Sequence, residues 1–151
     1  MDFDDEFEDF NDIEDAKAPN YAELLSNLKN AEVDLSVSSY YYLSDLPAEY
    51  AAELKKVWST IGDRRREMIA RSMADIAENN YQVDFSPIAA DLLTDKSENV
   101  RLAALDMLWD TDKVWLVNPI VKLMRDDQST AVRASAAGSL GHYLLMAQWG
   151  E

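Results

Sequence analysis

The feature that most constrains this chain is a pattern that recurs after 32 residues in its C-terminal half. Nine positions carry the same or a similar residue at that offset: Pro87 and Pro119, Ile88 and Ile120, Leu92 and Met124, Asp95 and Asp127, Ser97 and Ser129, Val100 and Val132, Arg101 and Arg133, Ala104 and Ala136, and Leu108 and Leu140. A fixed period of this length is the sequence signature of stacked structural repeats. A chain with this pattern is expected to build its core from neighbouring copies of one unit.

The apolar residues predict helices throughout the chain, because they recur at spacings of three and four rather than two. The chain contains only four Gly and four Pro to interrupt such helices. The predicted helices cover residues 20–29, 47–61, 63–79, 86–93, 97–109, 113–125 and 129–147, the first of them capped by Asn20. The segment 33–42 is ambiguous, since its alternating apolar residues also permit an extended piece.

Each copy of the pattern contains an aspartate followed six residues later by an arginine, Asp95 with Arg101 and Asp127 with Arg133. Aspartate suits the tight turn between two helices. An arginine at this spacing can reach the turn of its own repeat or of the adjacent one, and guanidinium–carboxylate hydrogen bonds are strong. We therefore expect these four residues to form a structural ladder between repeats.

A proline in the first helix, an aspartate in the turn and Val-Arg in the second helix resemble the HEAT repeat and the phycobilisome-lyase HEAT-like repeat. The resemblance covers residues 84–145 well. A longer string is also similar to a group of bacterial HEAT-repeat proteins of unassigned activity: Leu43-Ser44-Asp45-Leu46, Trp58, Arg65-Arg66, Ala77-Glu78-Asn79, Asp84-Phe85 and Leu108-Trp109. The resemblance implies an all-α fold, a short right-handed solenoid of antiparallel helix pairs whose inner face most often binds another protein.

This interpretation divides the chain into three parts. Residues 1–19 form an acidic tail, residues 20–46 an N-terminal helix and linker, and residues 47–151 the repeat array. Within the array, the repeats are expected at about 47–80, 84–110 and 112–147. The first is divergent, because it lacks the Asp and Val-Arg signature in register.

The acidic tail holds most of the charge imbalance. The chain has 29 acidic and 14 basic residues, a net charge of -15, and nine of the acids fall within the first 16 residues. Phe3, Phe7, Phe10 and Ile13 would share one helix face, but their mutually repelling neighbours predict disorder in isolation. Two interpretations stay open: a segment that folds while binding a groove rimmed with Lys and Arg, or a leader that aids solubility.

Basic residues cluster in the opposite way: Lys55, Lys56, Arg64, Arg65, Arg66 and Arg71 place six of the 14 bases within 17 residues. This cluster could receive the acidic tail or an acidic partner, or could consist of solvated helix-face cations. Nucleic acid is not expected as a partner, because the net charge has the wrong sign for binding phosphates.

The residue types favour binding over catalysis. The chain has no cysteine and only His142, which excludes thiol nucleophiles and multi-histidine metal sites, and we expect no cofactor and no enzymatic activity. We therefore predict a non-enzymatic scaffold or adaptor for a protein partner. The alternative is a lyase-like, pigment-handling half of a heterodimer, in which aromatic residues line a pocket for a tetrapyrrole: Trp58, Trp109, Trp115, Trp149, Tyr40, Tyr41 and Tyr42.

The two ends of the chain carry further expectations. The N-terminus lacks a signal-peptide pattern and no apolar run is long enough to span a membrane, so a cytoplasmic location without membrane contact is the default. The last helix stays apolar, although terminal repeats normally have a polar outer face. This apolar edge predicts either a truncated chain or self-association, through Tyr143, Leu144, Leu145, Met146 and Trp149.

Overall fold

The computed structural model describes residues 19–44 and 46–150, and these residues form an all-α protein. Within those ranges every regular element is helical, as predicted. The α-helices are α1 Tyr21–Lys29, α2 Val37–Ser44, α3 Ala48–Trp58, α4 Asp63–Asn79, α5 Ser86–Leu92, α6 Glu98–Met107, α7 Val117–Asp126 and α8 Thr130–Trp149, and a short 3-10 helix, Val114–Leu116, precedes α7. Of these helices, none combines the length and the apolar character needed to cross a membrane.

Polar side chains set where several of the helices begin. The Asn20 side chain accepts a hydrogen bond from the Glu23 backbone N–H, which confirms the predicted N-cap of α1. Ser97 and Ser129 cap α6 and α8 in the same way, each accepting from the backbone N–H three residues later. Such caps satisfy donors that the first helical turn leaves unpaired. Capping therefore fixes the start of both second helices of the recurring pattern at equivalent positions.

The ambiguous segment around residues 33–42 resolves as helix α2 rather than as an extended piece. Ser36 lies just before the helix, and its hydroxyl accepts from the Ser39 backbone N–H. Tyr40 and Leu43, three residues apart, are the buried residues of α2. The helical spacing of these two side chains is decided by burial against the rest of the protein, which local alternation does not report.

Helix α6 occupies the centre of the packing. It contacts α4, α5 and α8, while α7 packs against α8 and α1 packs against α3. Ala103 and Ala104 of α6 are fully buried, as are Ala70 of α4 and Ala136 of α8. Small side chains at these contacts let the helix axes approach closely, and larger aliphatic residues fill the remaining core.

The acidic tail cannot be compared with its prediction, because residues 1–18 lie outside the described part of the chain. Phe3, Phe7 and Phe10, the proposed partner contacts of that tail, therefore lie outside it too. The described chain starts at Pro19, directly before α1. Asp45 and Glu151 are likewise not described.

Candidate functional site

Arg101 joins two helix turns. Its Nε and Nη2 donate to the two carboxylate oxygens of Asp127 at 2.8 and 3.0 Å, and its Nη1 donates to the backbone carbonyl of Asp95 at 2.9 Å. Arg133 repeats the second contact by donating to the backbone carbonyl of Asp127 at 2.6 Å. The structure thus brings the four predicted ladder residues into one connected series of hydrogen bonds.

The series extends one step further, to Arg66. Its Nε and Nη2 both lie 3.1 Å from the carboxylate oxygens of Asp95, and its Nη1 donates to the Ile61 carbonyl at 2.7 Å. Only 1% of Arg66 is exposed. The prediction that Arg66 contacts a partner is wrong, because its guanidinium is buried and engaged inside the chain. Arg66 lies 35 residues before Arg101 rather than 32, so the fixed offset does not find it.

Serine and glutamate side chains accompany the ladder, and sequence reasoning missed them. The Ser97 hydroxyl donates to Glu67 at 2.7 Å, and the Ser129 hydroxyl donates to Glu98 at the same distance. The backbone N–H of each serine donates to the aspartate two residues before it. The recurrence of Ser97 as Ser129 was the available signal, and its physical basis is a cap that also reaches the preceding helix.

The ladder environment changes the acidity of its charged groups. Burial alone would raise the pKa of Asp95, but hydrogen bonds from Arg66, the Ser97 backbone and Trp58 outweigh it and hold the pKa below its usual value. The pKa of Asp127 is lowered in the same manner, against the effect of burial, by Arg101 and the Ser129 backbone. Both aspartates are therefore anchored as anions by the groups that surround them.

The rest of the predicted basic cluster does not form one surface. Arg65 donates to three backbone carbonyls around the end of α1, those of Leu28, Asn27 and Val33, at 2.7 to 3.0 Å. Exposed ion pairs engage three more of the bases: Lys55 with Asp91, Lys56 with Glu53, and Arg71 with Asp106. Arg64 is exposed. The cluster is thus divided between fastening α1 and flanking different helices.

A first groove, the α3–α5 groove, runs between α3 and α5 and has a volume of about 500 Å³. Its lining is apolar, with Lys55, Lys96 and Asp91 as charged groups and the Arg66–Asp95 pair beneath; the apolar residues are Ala51, Leu54, Trp58, Pro87, Ile88 and Leu92. The Trp58 indole N–H donates to Asp95 at 2.8 Å. The lining contains three basic and two acidic residues, so this groove is locally positive in an acidic protein.

A second groove, the α4–α6 groove, has the opposite charge. Its volume is about 550 Å³, and its charged lining residues are Arg71 against Glu78, Asp106 and Asp110. Two aromatic residues of this groove are strongly exposed, Tyr81 at 89% and Trp109 at 56%. The Trp109 ring lies beside α8, where a Cβ added to Gly138 would be 3.5 Å from it.

The structure does not bring the predicted pigment-binding aromatics into one site. Trp58 lines the α3–α5 groove and Trp109 lines the α4–α6 groove. Tyr40 is buried, and Tyr41 accepts a hydrogen bond from Asn80. The remaining members, Tyr42, Trp115 and Trp149, are exposed.

The apolar edge of α8 is solvent-accessible in part. Leu144, Leu145 and Trp149 are exposed, Trp149 at 85%. Tyr143 and Met146 are half-buried, and the Tyr143 hydroxyl donates to the Lys113 carbonyl at 2.9 Å. The exposed part of the predicted self-association surface is therefore smaller than the set of five residues.

Within residues 19–44 and 46–150, no group of histidine, cysteine, aspartate and glutamate side chains is arranged to hold a metal ion. The two grooves are consequently the candidate binding sites that the geometry offers. A scan against protein-family models and searches of curated proteins and solved structures found no match for this chain.

Proposed function

We propose that this chain is a non-enzymatic scaffold of HEAT-like repeats, acting in the cytoplasm, that binds a protein partner through the α4–α6 groove. The repeat assignment is supported by the recurring order of two helices joined by a short turn, α5 with α6 and α7 with α8. It is also supported by the equivalent hydrogen bonds of Arg66, Arg101 and Arg133. In this proposal the pairs stack as a short right-handed solenoid.

The observation that carries the binding proposal is the exposure of Tyr81 and Trp109 in an acidic groove. Tryptophan and tyrosine dominate the energetics of protein interfaces, because they bury a large area with few rotatable bonds. The three carboxylates around them select the chemistry of the partner. We expect a segment that carries Lys or Arg beside an apolar anchor.

The groove is built on rigid elements, which favours binding. Helices α4 and α6 pack closely through buried residues, and the Arg71–Asp106 pair spans them at 2.7 Å. The Trp109 ring is further supported by the surface of α8 at Gly138. A preorganised surface loses little conformational entropy on association, so a modest groove can support specific binding.

The test is capture of partners by the full chain and by two single variants, followed by quantitative mass spectrometry. Trp109→Ala removes the proposed anchor, whereas the matched control Trp149→Ala removes an exposed tryptophan outside the groove. We expect a stoichiometric partner that Trp109→Ala loses and Trp149→Ala retains. A partner retained equally by both variants, or no partner in any capture, would contradict the proposal.

Self-association through the apolar edge is a separate proposal about partners. Leu144, Leu145 and Trp149 present adjacent apolar surface on the last turns of α8, and such surface favours contact with a second copy. Sedimentation velocity over a range of concentrations measures it. A dimer that disappears with Leu145→Glu supports the proposal, and a monomer at every concentration overturns it.

The pigment-handling alternative has weaker support, because its aromatic residues are divided between two grooves and Trp58 is hydrogen-bonded to Asp95. A tetrapyrrole that quenches tryptophan fluorescence at low concentration would favour this alternative. Absence of any such response would leave the scaffold as the function to pursue.

A further inference from the structure

We infer that the acidic tail folds back in cis and occupies the α3–α5 groove. In this arrangement the tail is helical while bound, and Phe3, Phe7, Phe10 and Ile13 face the apolar floor of the groove. Amphipathic helices bind apolar grooves in this way, with anchors at three- and four-residue spacing. The inference concerns a different surface from the one proposed for the partner, so the two can fail independently.

Charge distinguishes the α3–α5 groove from its neighbour. Lys55 and Lys96 stand at its edges and are mostly exposed, and the lining as a whole has one more base than acids. The α4–α6 groove has two more acids than bases and would repel a segment with nine carboxylates. Complementary potentials therefore direct the tail to the α3–α5 groove.

The start of the described chain lies close to this groove. The rings of Tyr21, in the first turn of α1, and Tyr50, in the first turn of α3, are 5.1 Å apart between centroids. The next residue of α3, Ala51, already lines the α3–α5 groove. Packed helices are about 8–10 Å apart, and the five residues 14–18 can extend to roughly 17 Å. The linker is therefore long enough to cross α3.

The length of the apolar stripe also suits the groove. From Phe3 to Ile13 a helix rises about 15 Å, and from Ala51 to Trp58 it rises about 10 Å. A tail that crosses at the start of α3 would run antiparallel to it, with Ile13 near Ala51 and Phe3 near Trp58 and Lys96. Four apolar anchors would then cover Leu54, Ile88 and Leu92, which form the floor.

Occupation by the tail would make the groove an internally competed site. A segment tethered by a short linker has an effective concentration near the millimolar range. Any external acidic, apolar segment would have to displace it. The tail would thus protect the apolar floor and raise the threshold for a second partner.

Paramagnetic relaxation enhancement on the full chain tests the inference directly. Because the chain has no cysteine, Asp2→Cys gives a single attachment point for a spin label. We expect loss of NMR signal intensity at the Trp58 indole N–H and at the backbone amides of Leu54 and Ile88, and retention at Tyr81 and Trp109. Loss centred on the α4–α6 groove, or no specific loss, would overturn the inference.

Two charge-reversed variants of the labelled chain separate groove binding from general attraction. The pair Lys55→Glu and Lys96→Glu alters the groove, while Lys29→Glu with Lys122→Glu changes the net charge equally away from it. We expect the first pair alone to lower the bound population, by about two- to tenfold. Equal effects of both pairs would contradict the inference, as would recovery of the signals after dilution with unlabelled chain, which marks binding between molecules.

Discussion

The α3–α5 and α4–α6 grooves use the same chemical pair, an arginine of α4 and an aspartate further along the chain, in opposite environments. Arg66 and Asp95 are almost completely buried beneath the first groove, whereas Arg71 and Asp106 are half exposed at the second. The buried pair fixes how successive helices meet, because an unpaired charge there would be costly. The exposed pair contributes little to stability and leaves its groove free to contact a partner. One helix thus divides stability and recognition between its two faces.

Breaking each ion pair at its aspartate should give the largest contrast between the grooves. Asp95→Ala leaves the Arg66 guanidinium buried without its carboxylate, so we expect a loss of about 3–5 kcal/mol in the free energy of unfolding. Asp106→Ala should cost at most about 1 kcal/mol, because Arg71 remains solvated. Urea unfolding monitored by circular dichroism measures both. Equal losses would mean that the two pairs do not differ in environment as described.

The two tryptophans should show a smaller contrast of the same sign. Trp58→Phe keeps an aromatic ring in the α3–α5 groove but removes the indole donor to Asp95. Since a hydrogen bond to a charged group contributes about 1.5–3 kcal/mol, we expect a loss in the lower part of that range. Trp109→Phe should change the free energy of unfolding by less than about 0.5 kcal/mol, because Trp109 is a surface residue. The same urea titrations compare them, and a larger loss at Trp109 would reverse the assignment of roles.

Acid should weaken the ladder before it affects the α4–α6 groove. The lowered pKa values of Asp95 and Asp127 mean that the unfolded chain binds protons more readily than the folded one. The stability from these groups is full above the unfolded pKa of about 4 and is lost as the pH falls through the folded values. Asp95→Asn and Asp127→Asn should therefore flatten the decline in stability below pH 4, measured by thermal unfolding at successive pH values. An unchanged slope in both variants would refute this assignment.

The smallest expected effects concern the glycines of α8 beside the α4–α6 groove. The described glycines all have negative φ, so alanine suits their backbone. Gly141→Ala meets no neighbouring atom within 4 Å, and Gly138→Ala would contact the Trp109 ring at an ordinary 3.5 Å. Each substitution should stabilise the protein by about 0.5–1 kcal/mol through helix propensity. Thermal unfolding measures both, and destabilisation by Gly138→Ala alone would show that Trp109 packs more tightly on α8.

The 32-residue period predicted the hydrogen-bonding partners of Arg101 but not those of Arg66. The period compares positions in sequence, and it succeeds where the connections between helices keep a constant length. The loop between α4 and α5 changes the spacing before Asp95, so Arg66 is displaced by three residues relative to the repeat. Its neighbours Arg64 and Arg65 then suggest a solvated basic cluster. Only burial separates a charge that holds the core from one that faces water.

The local sequence by itself determined the helices, because apolar spacing, capping residues and the scarcity of glycine and proline act within one or two turns. It also determined the aspartates and serines that occupy the turns before α6 and α8. Tertiary structure decided which bases are buried, which groove is positive and which tryptophan is exposed. These properties depend on which helix faces cover one another, and that is set by packing between residues about 30 positions apart, beyond the range of any local pattern.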